Sequence, residues 1–132
     1  MAGSDALVDA ARNASTFAFA KHSGFHVGAA LETSDGRVFT GCNIENATYG
    51  LTVCAERVAI FKAMSEGLRR GDFVRIAVVA RPDDPTPPCG ACRQIIWEMC
   101  GDIEVVMANH EKVHRSMTMR DLLPLPFDER LL

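Results

Sequence analysis

The 132-residue sequence has no long apolar run and little positive charge. Because no apolar run approaches the roughly 18 residues of a spanning helix, we expect no membrane insertion. The chain carries 14 lysine and arginine residues against 17 aspartate and glutamate residues, a net charge of −3. A nucleic acid partner would need a basic face, and a single strand would also need interleaved aromatic residues. The sequence shows neither, so we expect no polymeric nucleic acid partner.

We also expect no secretory signal, since residues 1–11 contain Asp5 and Asp9 and no basic segment before an apolar one. The five cysteines are an odd number, which fits a reducing compartment in which cysteine serves metal binding or chemistry more often than disulfides. We therefore expect a cytoplasmic protein. The composition is 48% hydrophobic and 23% charged, typical of a folded chain, and the length predicts one domain over residues 1–132.

Hydrophobic periodicity predicts helices that alternate with strands after an initial hairpin. Strand 73–80 is apolar without alternation, which is typical of a strand buried on both faces. This order favours an α/β fold with a mixed sheet and helices on both faces. The predicted helices are 4–20, 54–66, 90–99 and 118–123, and the predicted strands are 27–31, 38–43, 73–80 and 103–108.

Two cysteine motifs lie at predicted helix starts: Cys54-Ala55-Glu56, and Cys89 with Cys92 after a proline. Cys89 and Cys92 are three residues apart, so both thiols face one side of a first helical turn. The N–H groups and the positive dipole end of a helix start lower the pKa of a thiol. Because zinc prefers thiolates, these three cysteines predict a zinc site with one Zn²⁺ per chain.

Other interpretations of these cysteines remain open. Cys89 and Cys92 also have the spacing of a redox pair, although Cys54, 35 residues before Cys89, favours a metal. Cys42 or Cys100 would supply the fourth ligand of a structural zinc, but neither lies at a predicted helix start. Three thiolates instead leave one tetrahedral position for water, as in catalytic zinc sites.

Glu56 and Arg57 follow Cys54 by two and three positions. The generic signature of zinc deaminases is His or Cys, any residue, Glu, and then Pro-Cys-x-x-Cys, in which the Glu is a general acid and base. The pattern therefore predicts Glu56 as a proton shuttle. Three thiolates on Zn²⁺ leave excess negative charge, which a planar guanidinium can offset by donating to sulfur. Arg57 is the first candidate for this role and Arg93 the second.

At these positions the chain resembles the cytidine deaminase family in its small homotetrameric form. The zinc motif occurs throughout the deaminase superfamily, whereas Asn43-Ile44-Glu45 is more specific to the nucleoside enzymes. The resemblance covers residues 25–127 and rests on four segments, Val27–Ala30, Gly41–Ala47, Cys54–Arg57 and Pro88–Gln94.

The resemblance implies a three-layer α/β/α fold with a mixed sheet of about five strands. It implies that Glu56 moves protons between zinc-bound water, ring N3 and the departing amine. The backbone N–H of Ala55 would hold the pyrimidine O2, and Phe25 would stack near the base.

Asn43 and Glu45 would bind the ribose hydroxyls. Their chemistry supports this, since residues two apart on a strand share a face and both side chains accept hydrogen bonds. Tyr49 and Phe127 would reach the site of a neighbouring chain, so that the homotetramer shares its active sites.

The implied reaction is hydrolysis of cytidine and 2′-deoxycytidine to uridine and 2′-deoxyuridine with release of ammonia, in pyrimidine salvage. A second interpretation is a deaminase of a modified cytosine nucleoside, such as the blasticidin S class, although Asn43 and Glu45 favour an ordinary ribose. A third is a non-catalytic zinc-stabilised binding module, against which Glu56 argues. An editing deaminase on DNA or RNA is disfavoured by the short acidic chain.

The sequence departs from the family pattern at four places. His22 stands where the family commonly has Tyr, and His26 where it often has Pro. Residues 48–52, Thr-Tyr-Gly-Leu-Thr, replace a more usual Cys-Tyr-Pro-Leu-Gly. These three departures flank pocket segments and so bear on substrate preference. Pro87 replaces a common Ser; it lacks an N–H but keeps the carbonyl that could contact a leaving amine.

Overall fold

Five strands form one mixed sheet in the order β2-β1-β3-β4-β5. The structure, a computed structural model, describes residues 4–83 and 86–132, so residues 1–3 and 84–85 of the predicted domain lie outside it. The strands are β1 (Gly28–Thr33), β2 (Val38–Cys42), β3 (Phe73–Val79), β4 (Glu104–Ala108) and β5 (Val113–Thr118). The helices are α1 (Ser4–Ser15), α2 (Ala55–Ser65), α3 (Gly90–Cys100) and α4 (Met119–Leu122), with 3₁₀ turns at Tyr49–Leu51 and Glu129–Leu131.

The sheet is mixed because β3 and β4 are parallel, while β1 is antiparallel to both β2 and β3, and β5 is antiparallel to β4. Helix α1 covers one face, where Leu7 and Val8 are buried against Val106. Helices α2, α3 and α4 cover the other face and share a larger core that includes Ile60 and Ile96. The predicted three-layer α/β/α arrangement is confirmed. Within the described ranges, no helix is long and apolar enough to cross a membrane.

Two element predictions are wrong. Helix α1 ends at Ser15 rather than at residue 20, because Phe19 leaves the helix and exchanges backbone hydrogen bonds with Asn43 and Glu45. Periodicity did not locate strand β5, although the resemblance implied a sheet of about five strands. Strand β5 is a mostly exposed edge strand without an apolar face, and its entry turn is closed by Asn109, whose Oδ1 accepts two backbone N–H groups.

Glycine at two positions lets a helix lie directly on the sheet backbone. A Cβ at Gly41 would lie 2.6 Å from the Ala59 nitrogen and closer still to the Ala55 carbonyl. A Cβ at Gly28 would lie 2.6 Å from the Ser15 nitrogen on the opposite face. No larger side chain fits at either contact. Gly41 therefore determines how closely the start of α2 approaches β2, and the first cysteine motif lies at that start.

Candidate active site

Three cysteine thiols meet where α2 and α3 begin. Cys54 is the N-cap of α2, Cys89 is the N-cap of α3, and Cys92 lies in the first turn of α3. Their Sγ atoms all lie within 4.8 Å of one another, and Glu56 is not a member of this group. Zn–S bonds of about 2.3 Å in a tetrahedral site place the sulfurs about 3.8 Å apart. The donor set and its spacing therefore fit zinc.

The Arg57 guanidinium lies beside the first thiol, with Nη2 3.4 Å from Cys54 Sγ and 3.3 Å from the Thr52 carbonyl. Hydrogen bonds from Cys92 and then from Arg57 lower the pKa of the Cys54 thiol to about 5. The same contact with Cys54 raises the pKa of Arg57. The hydrogen bond to Cys54 and then burial raise the pKa of the Cys92 thiol. The surroundings thus favour negative charge on Cys54, as a soft cation requires.

Arg93, the second candidate for contact with sulfur, makes different contacts. Its Nε donates to the Pro88 carbonyl at 2.8 Å and its Nη1 to the Leu122 carbonyl at 2.9 Å. It therefore ties the segment before Cys89 to the end of α4.

Glu56 is the second residue of α2 and its side chain is only 4% exposed. Burial, together with a smaller effect of the nearby Cys54 thiolate, raises the pKa of its carboxyl to about 7. A buried carboxyl next to the thiols is the arrangement that proton transfer at a metal requires.

A cavity of about 300 Å³ opens beside the thiols, a volume that suits a small ligand. The Ala55 N–H belongs to the first turn of α2 and is one of the donors that a helix start leaves unpaired. Thr86 and Pro87 also line the cavity. The cavity brings together seven of the residues selected from the sequence: Phe25, Asn43, Glu45, Cys54, Ala55, Glu56 and Cys89.

Asn43 fixes the segment that carries Phe25. Its Oδ1 accepts from the Val27 N–H at 2.9 Å, and its Nδ2 donates to the Phe25 carbonyl at 2.8 Å. Each of these side-chain atoms retains capacity for one further hydrogen bond.

Glu45 binds the residues just before Phe25. Its Oε1 accepts from the backbone N–H groups of His22 and Ser23, both at 2.9 Å, and its Oε2 accepts from the Ser23 hydroxyl. These bonds, the Ser23 hydroxyl first, lower the pKa of Glu45. Ser23 was not among the residues selected from the sequence. The Ser-Gly pair before Phe25, typical of turns in which serine binds nearby backbone, was the available signal.

Tyr49 and Phe127 lie outside the cavity. Tyr49 is 78% exposed and lines a neighbouring hollow of about 390 Å³, to which Glu45 and Thr52 also belong. Phe127 is 57% exposed, and its carbonyl accepts from Gln94 Nε2 at 2.7 Å. Both rings are therefore accessible to a second chain.

Comparison with known proteins agrees with this geometry. A family model described as the cytidine and deoxycytidylate deaminase zinc-binding region matches residues 1–109. A cytidine deaminase from Halalkalibacterium halodurans is 51% identical over 122 residues, which cover 92% of this chain and 91% of that protein. A crystal structure of cytidine deaminase from Burkholderia pseudomallei has a TM-score of 0.91 and 50% identity, covering 93% of this chain and 98% of that one.

A more distant relative is a blasticidin-S deaminase from Bacillus cereus, 34% identical over 110 residues, which cover 77% of this chain and 76% of that protein. The shared zinc-binding region places the chain in the class of zinc-binding deaminases. Within this class, the chain belongs to the cytidine deaminase family.

Proposed function

We propose that this chain hydrolyses cytidine and 2′-deoxycytidine to uridine and 2′-deoxyuridine with release of ammonia. The observation that carries the proposal is the buried Glu56 beside three clustered thiols in a cavity of about 300 Å³. The 51% identity to a cytidine deaminase supports this choice of substrate. We further propose that the reaction serves pyrimidine salvage. A cytoplasmic location is proposed as well, because the five cysteines are free thiols, as in a reducing compartment.

Cys54, Cys89 and Cys92 would hold one zinc ion per chain, and Arg57 would offset part of the thiolate charge. The spacing of the three sulfurs and the contact of Arg57 with Cys54 support this assignment. When bound, the ion supplies the polarisation that makes water a nucleophile toward C4 of cytosine.

Glu56 moves the protons of the reaction. Its carboxylate accepts a proton from the attacking water and delivers it to ring N3. It then takes the remaining proton from the hydroxyl formed on C4 and passes it to the amino group, which departs as ammonia. The Ala55 N–H holds the pyrimidine O2, while the Pro87 carbonyl accepts a hydrogen bond from the leaving amine. The position of these groups around one cavity supports the division of roles.

Asn43 and Glu45 bind the sugar, and Phe25 stacks near the base. Asn43 keeps one amide hydrogen for a sugar oxygen, and Glu45 Oε2 keeps one acceptor position for a sugar hydroxyl. The substrate is a free nucleoside rather than a polymer, since the chain carries a net charge of −3.

The proposed assembly is a homotetramer with shared active sites, in which Tyr49 and Phe127 contact the nucleoside site of a neighbouring chain. Their exposure of 78% and 57% supports this role, because it leaves both rings accessible to a neighbouring chain. Residues 1–132 would act as one domain, which the single sheet shared by elements from both halves of the chain supports.

The test is a panel of cytidine, 2′-deoxycytidine and blasticidin S, each followed by ultraviolet absorbance and ammonia release. We expect turnover of the first two, with zinc present in the purified protein. The Cys89→Ala variant is the negative control for contaminating activity. Turnover of blasticidin S without turnover of either nucleoside would favour the second interpretation, and a zinc-containing protein that turns over none would favour a binding module.

A further inference from the structure

The hydroxyl of Ser23 connects two residues to which the proposed function assigns substrate contacts. Its Oγ donates to Glu45 Oε2 and accepts from the Phe25 N–H at 3.0 Å. Glu45 and Phe25 both line the cavity beside the thiols, whereas Ser23 lines the neighbouring hollow. Ser23 therefore binds two residues of the cavity wall without lining the cavity itself.

The orientation of the Glu45 carboxylate depends on this hydroxyl. Oε1 accepts two backbone N–H groups, from His22 and Ser23, which fill its acceptor positions. Among the hydrogen bonds of the described residues, Oε2 has the Ser23 hydroxyl as its partner. Loss of this bond would leave the carboxylate held through Oε1 alone, and because the terminal torsion of a glutamate is broad, Oε2 could shift about that anchor. The remaining acceptor position of Oε2 would then no longer face a fixed direction.

The backbone of Phe25 is held by side chains rather than by regular secondary structure. Ser23 binds its N–H and Asn43 binds its carbonyl. Gly24 makes the tight turn between Ser23 and Phe25 possible, since its φ of +70° lies in the left-handed region. One serine thus stabilises both the sugar side and the base side of the cavity.

We propose that Ser23 is a positioning residue for nucleoside binding, which orients the Glu45 carboxylate toward the sugar and fixes Phe25 beside the base. The inference rests on the proposed function. Ser23 does not contact the thiols or Glu56, so it acts on the binding of substrate and leaves the chemical step intact.

The test compares steady-state kinetics with cytidine for Ser23→Ala and Ser23→Thr. For Ser23→Ala we expect KM to rise roughly 5- to 20-fold, with kcat changed less than about twofold, as for loss of one hydrogen bond to a charged group. Ser23→Thr keeps the hydroxyl and should stay within about threefold of the wild-type KM. Ser34→Ala is the matched control, because Ser34 is an exposed serine in the β1–β2 turn, at the far end of β1 from the cavity.

A double variant tests the connection to Glu45. In a Glu45→Ala background, Ser23→Ala should raise KM by a factor at least three times smaller than it does alone, since the carboxylate it orients is gone. An equal effect in both backgrounds would overturn this connection.

Other results would overturn the proposal as a whole. An unchanged KM for Ser23→Ala in an enzyme active on cytidine is one of them. A raised KM accompanied by lost zinc or a lower unfolding temperature is another, because it indicates a structural role. A wild-type protein without activity on cytidine would instead refute the proposed function, and this inference with it.

Discussion

The candidate site contains three thiols that could hold a metal and one buried carboxyl that could move protons. The three thiols meet because two of them are helix N-caps and the third lies three residues after the second of these caps. Glu56 follows Cys54 by two positions, which turns its carboxyl into the cavity rather than toward the helix cap. Because Glu56 is buried, water screens the charge of its carboxylate only weakly.

The first prediction concerns Glu56→Gln, which keeps the size of the side chain but cannot accept a proton from water. We expect kcat to fall by about 10⁴-fold or more, because general acid–base catalysis contributes roughly 10²- to 10⁴-fold for each transfer and Glu56 serves two. Zinc should remain bound. The measurement is kcat, substrate affinity and zinc content on one preparation. Near-normal kcat with zinc present would contradict the proton-shuttle role, and loss of zinc would identify Glu56 as a ligand.

The second prediction concerns Cys89→Ala. Removal of one of three thiolates should abolish stoichiometric zinc and with it activity, because the remaining donors form an incomplete site. Metal analysis of the purified variant beside the wild type measures this. Cys42→Ala is the control, since Cys42 lies in β2 outside the thiol group. Retention of one zinc by Cys89→Ala would exclude Cys89 as a ligand.

At the scale of elements, the N-termini of α2 and α3 position the residues of the candidate site. The N-terminus of α2 lies against β2 at Gly41, so the backbone contact there sets the position of Cys54 and Ala55. Helix α3 brings Cys89 and Cys92 to the same place after the parallel strand β3. A change at the helix–strand contact should therefore affect the metal site without altering a ligand.

The third prediction concerns Gly41→Ala. The added Cβ would lie 2.6 Å from the Ala59 nitrogen, a contact that α2 can relieve only by moving away from β2. We expect a loss of about 1–3 kcal/mol in the free energy of unfolding, as for overpacking, together with weaker zinc binding. Denaturant unfolding and a zinc-chelator competition measure the two effects. Gly50→Ala, where the Cβ meets open space, should change stability by less than about 1 kcal/mol. Equal stability of the two variants would refute the close-contact argument.

Local signals in the sequence identify most of these elements. The predicted starts of α2 and α3 agree with the structure to within one residue, because capping and periodicity are short-range properties. The end of α1 could not be predicted in this way, since Phe19 pairs with residues more than 20 positions away. Phe25, Asn43 and Glu45 were selected through the family resemblance. Ser23 was missed for the same reason as the end of α1, because its role depends on a hydrogen bond to a residue 22 positions away.

At the scale of the whole molecule, the segment 127–130 packs against α3. Trp97 Nε1 donates to Asp128 Oδ2 at 2.8 Å, and Arg130 Nε donates to Asp128 Oδ1 at 2.7 Å. Together with the Gln94 bond to the Phe127 carbonyl, these contacts fix the chain at and directly after the exposed Phe127.

The fourth prediction concerns the acid stability that results. The Arg130 guanidinium and then the Trp97 N–H hold the pKa of Asp128 well below its ordinary value. Because the pKa is lower in the folded than in the unfolded state, Asp128 stabilises the fold fully above its unfolded pKa of about 3.9, and this contribution is lost as pH falls further. As pH falls from about 5 to about 3, the unfolding temperature of Asp128→Asn should therefore decrease less than that of the wild type. Parallel pH dependences for the two proteins would contradict this account.

Strand β5 has a consequence for how copies of this chain can meet. It is an edge strand whose pairing with β4 shifts register between Met107 and Ala108, and it carries Arg115 exposed and His114 half-buried. Irregular pairing and charged side chains are the features by which soluble proteins prevent sheets from joining edge to edge. Continuation of the sheet from one chain into another is thus disfavoured at this border. Contacts between copies are expected instead through side chains on helices and connecting segments, where specificity comes from shape rather than from a repeating backbone pattern.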